Sequence, residues 1–167
     1  FKKSVVAIGN FDGVHLGHQK VLKQAKTKAI NNKLKFGVVT FEPMPVMFFN
    51  KKIIHHRINT LDQKIEYLKK FKVDFLLIIK FNKKISNLEY KEFIKKILSK
   101  KLNSKFIFIS QNFRFGKNRE GNVKRLKENE SFFSYRTCVS PLFFKKNKIL
   151  SSSVIRNEIR RGNIDKA

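Results

Sequence analysis

Ser4-Val5-Val6-Ala7-Ile8 runs straight into Gly9-Asn10-Phe11-Asp12-Gly13-Val14-His15-Leu16-Gly17-His18, after which Val21, Leu22 and Ala25 recur at helical spacing beside Gln24, Lys26 and Lys28. The first five residues predict a strand buried on both faces. The apolar stripe predicts an amphipathic helix that fades at Asn31-Asn32. A fully buried strand feeding a helix through a tight glycine-containing turn is the opening unit of a parallel sheet covered by helices.

The same alternation continues outward from that unit. Phe36-Gly37-Val38-Val39-Thr40 predicts a second strand, Phe75 to Ile79 a third and Phe106-Ile107-Phe108-Ile109 a fourth. Between them lie helical patterns at Leu61 to Phe71, with Ile65 and Leu68 facing inward and Thr60 or Asp62 as cap, and at Leu88 to Ser99. A long stretch from Phe41 to about Thr60 reads as irregular, with Pro43 and Pro45 preventing regular structure near its start; such loops commonly carry function. After the loop Gln111 to Asn122 come a short helix, a small β-rich segment from Phe132 to Leu150, and a helix from Ser151 to Arg161, with Asn163 a possible start of another. The expected fold is α/β: one Rossmann-like domain over residues 1–167, an open parallel sheet with helices on both faces.

Composition narrows the class. The 167 residues carry 38 Lys+Arg against 12 Asp+Glu, a net charge of +26, yet 41% are hydrophobic and 18 are Phe, which is the material of a core rather than of a disordered chain. The charge suggests a polyanionic partner, but lysine pairs are scattered from Lys2-Lys3 to Lys145-Lys146 instead of gathering on one arm, so a specific nucleic-acid partner is not expected. The lone Cys138 excludes an internal disulfide framework. No apolar run approaches the ~20 residues of a membrane span, and no signal-peptide pattern opens the chain. The expectation is a cytoplasmic protein with no membrane partner.

The first turn holds the chemistry. In an open α/β sheet ligands bind at the carboxyl ends of strands, where a helix N-terminus points unpaired N–H groups at anions. His15 and His18, three apart, share one helix face and can hydrogen-bond phosphate oxygens, or else are structural; their place beside glycine on a strand-to-helix turn favours the former. A zinc site lacks its third and fourth ligands, because His55 and His56 are adjacent and Cys138 stands alone. GxGxxG is absent, and the stretch from Gly116 to Gly121 continues with Asn122-Val123 where a Walker loop needs Lys-Ser/Thr.

Gly-x-Phe-Asp-Gly-x-His-x-Gly-His resembles the HxGH motif of the nucleotidylyltransferase superfamily. Three further blocks, Val39-Thr40-Phe41-Glu42-Pro43-Met44-Pro45, Asn112-Phe113-Arg114-Phe115-Gly116-Lys117-Asn118-Arg119-Glu120-Gly121 and Leu150-Ser151-Ser152-Ser153-Val154-Ile155-Arg156, are similar to those of bacterial FAD synthetases, the bifunctional riboflavin kinase/FMN adenylyltransferases. Arg57 and Thr60 through Lys64 resemble the helix start that follows the long loop in that family. The blocks occur in order over nearly the whole chain.

The resemblance implies adenylyl transfer from ATP to FMN, giving FAD and pyrophosphate, with Mg²⁺ carried mainly by the phosphates and no dedicated protein metal site. It implies that His15, His18, Ser152, Ser153 and Arg156 handle the triphosphate and that Gly9, Phe11 and Gly17 shape the nucleotide pocket. Pro43, Met44, Pro45, Asn112, Phe113 and Phe115 would line the flavin side, with Met44 in place of the family's usual His and Ile149 where a basic residue is common. Asp12 is read as ordering the turn. The family also implies a riboflavin kinase module, of which these residues contain no motif. The alternatives are another phosphorylated acceptor, such as pantetheine phosphate or nicotinate mononucleotide, and a basic nucleic-acid-binding module.

Overall fold

A computed structural model describes residues 2–53, 56–141, 143–145 and 148–166. Five parallel strands, β1 (Ser4–Ile8), β2 (Lys35–Glu42), β3 (Phe75–Lys80), β4 (Ser104–Ser110) and β5 (Arg136–Ser140), form one sheet in the order β3-β2-β1-β4-β5. Chain order runs outward one way from β1 and then restarts on its other side at β4. That reversal is the crevice where an α/β sheet admits ligands.

Alternation along β1 divides the core in two. Val5 and Ala7 face α1 (Leu16–Asn31), packing with its Val21, Leu22, Ala25 and Ala29, and with Leu68 of α3 (Leu61–Lys69). Val6 and Ile8 face the opposite layer, where Phe93, Ile94, Leu98, Leu102 and Leu126 meet them. Each fully buried aliphatic side chain contributes roughly 1.5–3 kcal/mol, so both faces of the sheet must be covered and no strand in the centre can be polar. Thr60 caps α3 with a reciprocal pair of hydrogen bonds to Gln63, which selects it over Asp62 as the start signal.

Several elements differ from their expected form. Pro45 does not keep its stretch irregular: it occupies the first turn of α2 (Pro45–Phe49), where its missing N–H has no helical partner to lose. The predicted helix Leu88 to Ser99 is preceded by a separate turn, α4 (Lys83–Ser86), capped by Asn82, and begins at α5 (Tyr90–Phe93) before passing into a π-helical stretch, Ile94–Lys101. Phe132, expected in the β-rich segment, lies in α7 (Glu130–Phe133) after α6 (Val123–Glu128); among the described residues only β5 and the two-residue pair β6 (Phe144–Lys145) and β7 (Lys148–Ile149) are strands there. On α3, Leu68 is buried but Ile65 only half so, and the inward position beside Leu68 is taken by Lys64. The chain closes with α8 (Ser152–Arg160), capped by Ser151, and a single 3-10 turn from Ile164.

Candidate active site

A cavity of about 1020 Å³ opens across the carboxyl ends of the central strands. Ile8 and Gly9 leave β1 into it, Phe41 comes from β2, and Ser110 from β4. Its size lies at the top of the ~300–1,000 Å³ usual for a single small-molecule pocket, which leaves room for two substrates meeting end to end.

The turn after β1 is strained and tightly held. Phe11, Gly13 and Val14 all have left-handed backbone conformations, at φ 48°, 79° and 38°. For the β-branched Val14 that conformation costs on the order of 1–3 kcal/mol and persists only where surroundings impose it. Here the Val14 carbonyl accepts from Gln19 Nε2 at 3.0 Å, and the side chain is buried. Asp12 supplies the other restraint: Oδ1 accepts from the Ile58 and Asn59 N–H groups at 3.0 and 3.4 Å, Oδ2 from Arg156 at 2.7 Å, and its carbonyl from Ser152 Oγ at 2.9 Å. The expectation that Asp12 orders the turn is met; it binds the turn, the long loop and α8 into one unit.

His15 and His18 stack with ring centroids 3.8 Å apart, and His18 meets Phe11 edge-on at 5.3 Å. Gly17 makes the stack possible, because a Cβ there would lie 3.1 Å from the His15 ring and 3.3 Å from Phe143. Nδ1 of each histidine is buried and has no hydrogen-bond partner among the described residues. Desolvation, with added repulsion from His15 and Lys64, pushes His18 down to about 3, and burial also lowers His15 against the pull of Asp12. At neutral pH both rings are uncharged, and an N–H of each is available to donate to an anion. His18 lines the cavity and His15 stands behind it.

The amino end of α8 closes the same side. Ser152 and Ser153 line the cavity; Ser151 is spent as the helix cap. Arg156 reaches back to Asp12 and donates to Ser153 Oγ at 3.3 Å rather than facing the open volume. His56 lies in the field of this group, lowered by desolvation and by Arg156 and Arg160, with Asp12 opposing. His55 lies outside the described residues.

The far wall is aromatic. Phe113 and Phe115 stack at 5.6 Å, Phe115 packs on Phe93 at 5.3 Å, and Asn112 and Arg119 sit on the rim. Pro45 joins this wall with Val46 and Phe49, whereas Met44 is buried beneath the loop and neither it nor Pro43 lines the cavity. Reasoning from the sequence missed Phe49 and Phe81, which form a T-shaped pair 5.9 Å apart at the edge, and it placed Lys64 at a helix start without its burial. The available signal for Lys64 was its place four residues before Leu68, on the apolar stripe of α3.

A family profile described as FAD synthetase matches residues 1–154. The chain belongs to the FAD synthetase family. The bifunctional riboflavin kinase/FMN adenylyltransferase of Buchnera aphidicola subsp. Schizaphis graminum is 42% identical over 98% of this chain and 53% of its own length. The Escherichia coli K12 protein of the same name is 31% identical over 96% of this chain and 51% of its own. The chain therefore spans about half the length of the curated relatives it matches. A crystal structure from Streptococcus pneumoniae, described as a macrolide-efflux protein, has a TM-score of 0.86 at 27% identity, covering 99% of this chain and 55% of that one. A pantoate-beta-alanine ligase from Francisella tularensis shares the fold alone, with a TM-score of 0.62 at 18% identity over 97% of this chain and 69% of that one. Among the described residues no helix is long and apolar enough to cross a membrane.

Proposed function

We propose that this chain transfers the adenylyl group of ATP to FMN, forming FAD and pyrophosphate. What carries the reading is one cavity with two unlike ends: a neutral histidine pair and the amino end of α8 at one, stacked Phe113 and Phe115 at the other. The first end suits a triphosphate and the second a flat ring system.

In the reaction a phosphate oxygen of FMN forms a bond to the α-phosphorus of ATP while the bond from that phosphorus to the bridging oxygen breaks, and the electron pair leaves with pyrophosphate. The chain needs no nucleophile of its own; it aligns two anions and offsets their charge. His18 donates an imidazole N–H to the phosphate nearest the α-phosphorus, with His15 stacked behind to fix its ring. Incoming phosphate charge draws the histidine pKa values upward, so the pair becomes a better charge partner as the site fills. Ser152 and Ser153 hold the β- and γ-phosphates, and Arg156, tied to Asp12 and Ser153 behind them, adds positive charge that favours the departing pyrophosphate. Among the described residues no three of His, Cys, Asp and Glu gather, so Mg²⁺ would be held by phosphate oxygens and water, supplying charge neutralisation on the triphosphate.

The names of the relatives pair this activity with riboflavin phosphorylation, which generates FMN; we assign that step to a kinase module in the other half of such a protein, working with this chain in the cytoplasm. The test is chromatography of the chain incubated with FMN, ATP and Mg²⁺, with pantetheine phosphate and nicotinate mononucleotide as rival acceptors. FAD accumulates if the proposal holds; a folded chain that adenylylates a rival in preference to FMN overturns it.

A further inference from the structure

One buried charge has no place in the reaction as described. Lys64 is 4% exposed, on the inner face of α3 beside the fully buried Leu68. Its ammonium lies 3.4 Å from the carbonyl of Asn10 and 3.9 Å from Glu42 Oε2. Both contacts are long for a cation removed from water, and burial lowers the ammonium's pKa despite the pull of Glu42 and Asp12. Glu42 is shared: Oε1 accepts from Arg57, and Oε2 accepts no hydrogen bond among the described residues. The Asn10 carbonyl is shared too, taking the Thr40 hydroxyl at 3.1 Å.

These contacts join two places that sequence separates by 32 residues, Asn10 and Glu42. Asn10 lies on the turn that carries the histidines. Glu42 ends β2 directly before Pro43-Met44-Pro45, the root of the loop that supplies Pro45, Val46 and Phe49 to the aromatic wall. A buried ion pair is a poor way to stabilise a fold, since apolar side chains of similar volume in place of both partners commonly do as well or better. Its value here is that one ammonium can engage a carbonyl on one side and a carboxylate on the other.

We propose that Lys64 is a positioning residue that ties the Asn10 turn to the root of the Pro43–Pro45 loop through Glu42 and so fixes the spacing between the two ends of the cavity. Assigning those ends to ATP and FMN rests on the proposed adenylyl transfer; the tie itself does not.

The test uses Lys64→Met and Glu42→Gln in the present chain, read by thermal melting, hydrogen exchange and FAD formation. Two amides report on the tied segments: Gly9 N–H, bonded to the Val39 carbonyl at 3.1 Å, and Phe81 N–H, bonded to the Glu42 carbonyl at 2.8 Å. Lys64→Met is expected to keep a cooperative melt, because Glu42 retains Arg57 as its partner, while both amides exchange at least about 10-fold faster. With both substrates saturating, turnover falls about 10- to 100-fold, the scale on which a misplacement near 1 Å acts. Exchange at Gly9 and Phe81 unchanged within twofold, in a variant that folds, overturns the proposal whether or not turnover falls. Should Lys64→Met fail to fold, Glu42→Gln decides by the same two amides. If the unaltered chain forms no FAD, the functional reading fails and the exchange arms still decide the tie.

Discussion

Acidification should unfold this chain early, and His18 should account for a measurable share of the effect. In the folded protein its imidazole sits against His15 and Phe11 and is held down to about 3, whereas in the unfolded chain it returns to 6.5. Between those values the unfolded chain binds a proton that the folded chain refuses, so stability rises with pH through that window. The contribution is fully present above pH 6.5 and is lost progressively as pH falls toward 3. At about 1.36 kcal/mol per pH unit, moving from pH 6.5 to pH 5 removes about 2 kcal/mol. For a chain of this length that corresponds to a Tm lower by about 4–8 °C. His15, also lowered by burial, acts in the same direction. The assay is a set of thermal melts at pH 7.5, 6.5, 5.5 and 5 on the unaltered chain and on His18→Asn, whose amide does not titrate. Carboxylate effects are common to both and cancel in the difference. The unaltered chain should show the steeper fall, the gap opening below pH 6.5; parallel curves would refute a His18 held neutral by its surroundings.

Asp12→Asn removes the carboxylate that pairs with Arg156 at 2.7 Å and leaves a largely buried guanidinium uncompensated, which should cost about 3–5 kcal/mol and lower Tm by about 10 °C in a melt at pH 7.5. Gly116→Ala places a side chain at φ 74°, ψ 172°, a region open almost only to glycine, with its Cβ 2.8 Å from the Tyr90 backbone nitrogen; a penalty of about 1–3 kcal/mol from conformation alone should appear in urea denaturation. Ser152→Ala loses a 2.9 Å hydrogen bond to the Asp12 carbonyl, worth about 1 kcal/mol in stability, and should also lower FAD formation at least about 10-fold; unchanged turnover would reduce Ser152 to a strut between α8 and the first turn.

The parts of the molecule legible in the sequence are those governed by periodicity. Val5 to Ile8 had to be a central strand because both of its faces are apolar, and Val21, Leu22 and Ala25 had to cover it. The His15–His18 turn was legible because local spacing defines it. Pro45 was misread because a proline that breaks a helix interior is also a good first residue of one, and only the chain geometry at Met44 separates the two. The π-helical stretch at Ile94–Lys101 has no sequence period that distinguishes it from an ordinary helix. Asp12 and Arg156 lie 144 residues apart, and Lys64 and Asn10 lie 54 apart, so neither partnership has a local signature. A lysine on a lysine-rich amphipathic helix looks like solvated surface until the strand end beneath it is seen.

The distribution of label from ATP tests adenylyl transfer most directly. Incubated with FMN, Mg²⁺ and ATP labelled at the α-phosphorus, the chain should place the label in FAD, and ATP labelled at the γ-phosphorus should release its label only as pyrophosphate. Label from the γ-position appearing in a flavin product, or no labelled FAD from a chain that melts cooperatively, would contradict the account.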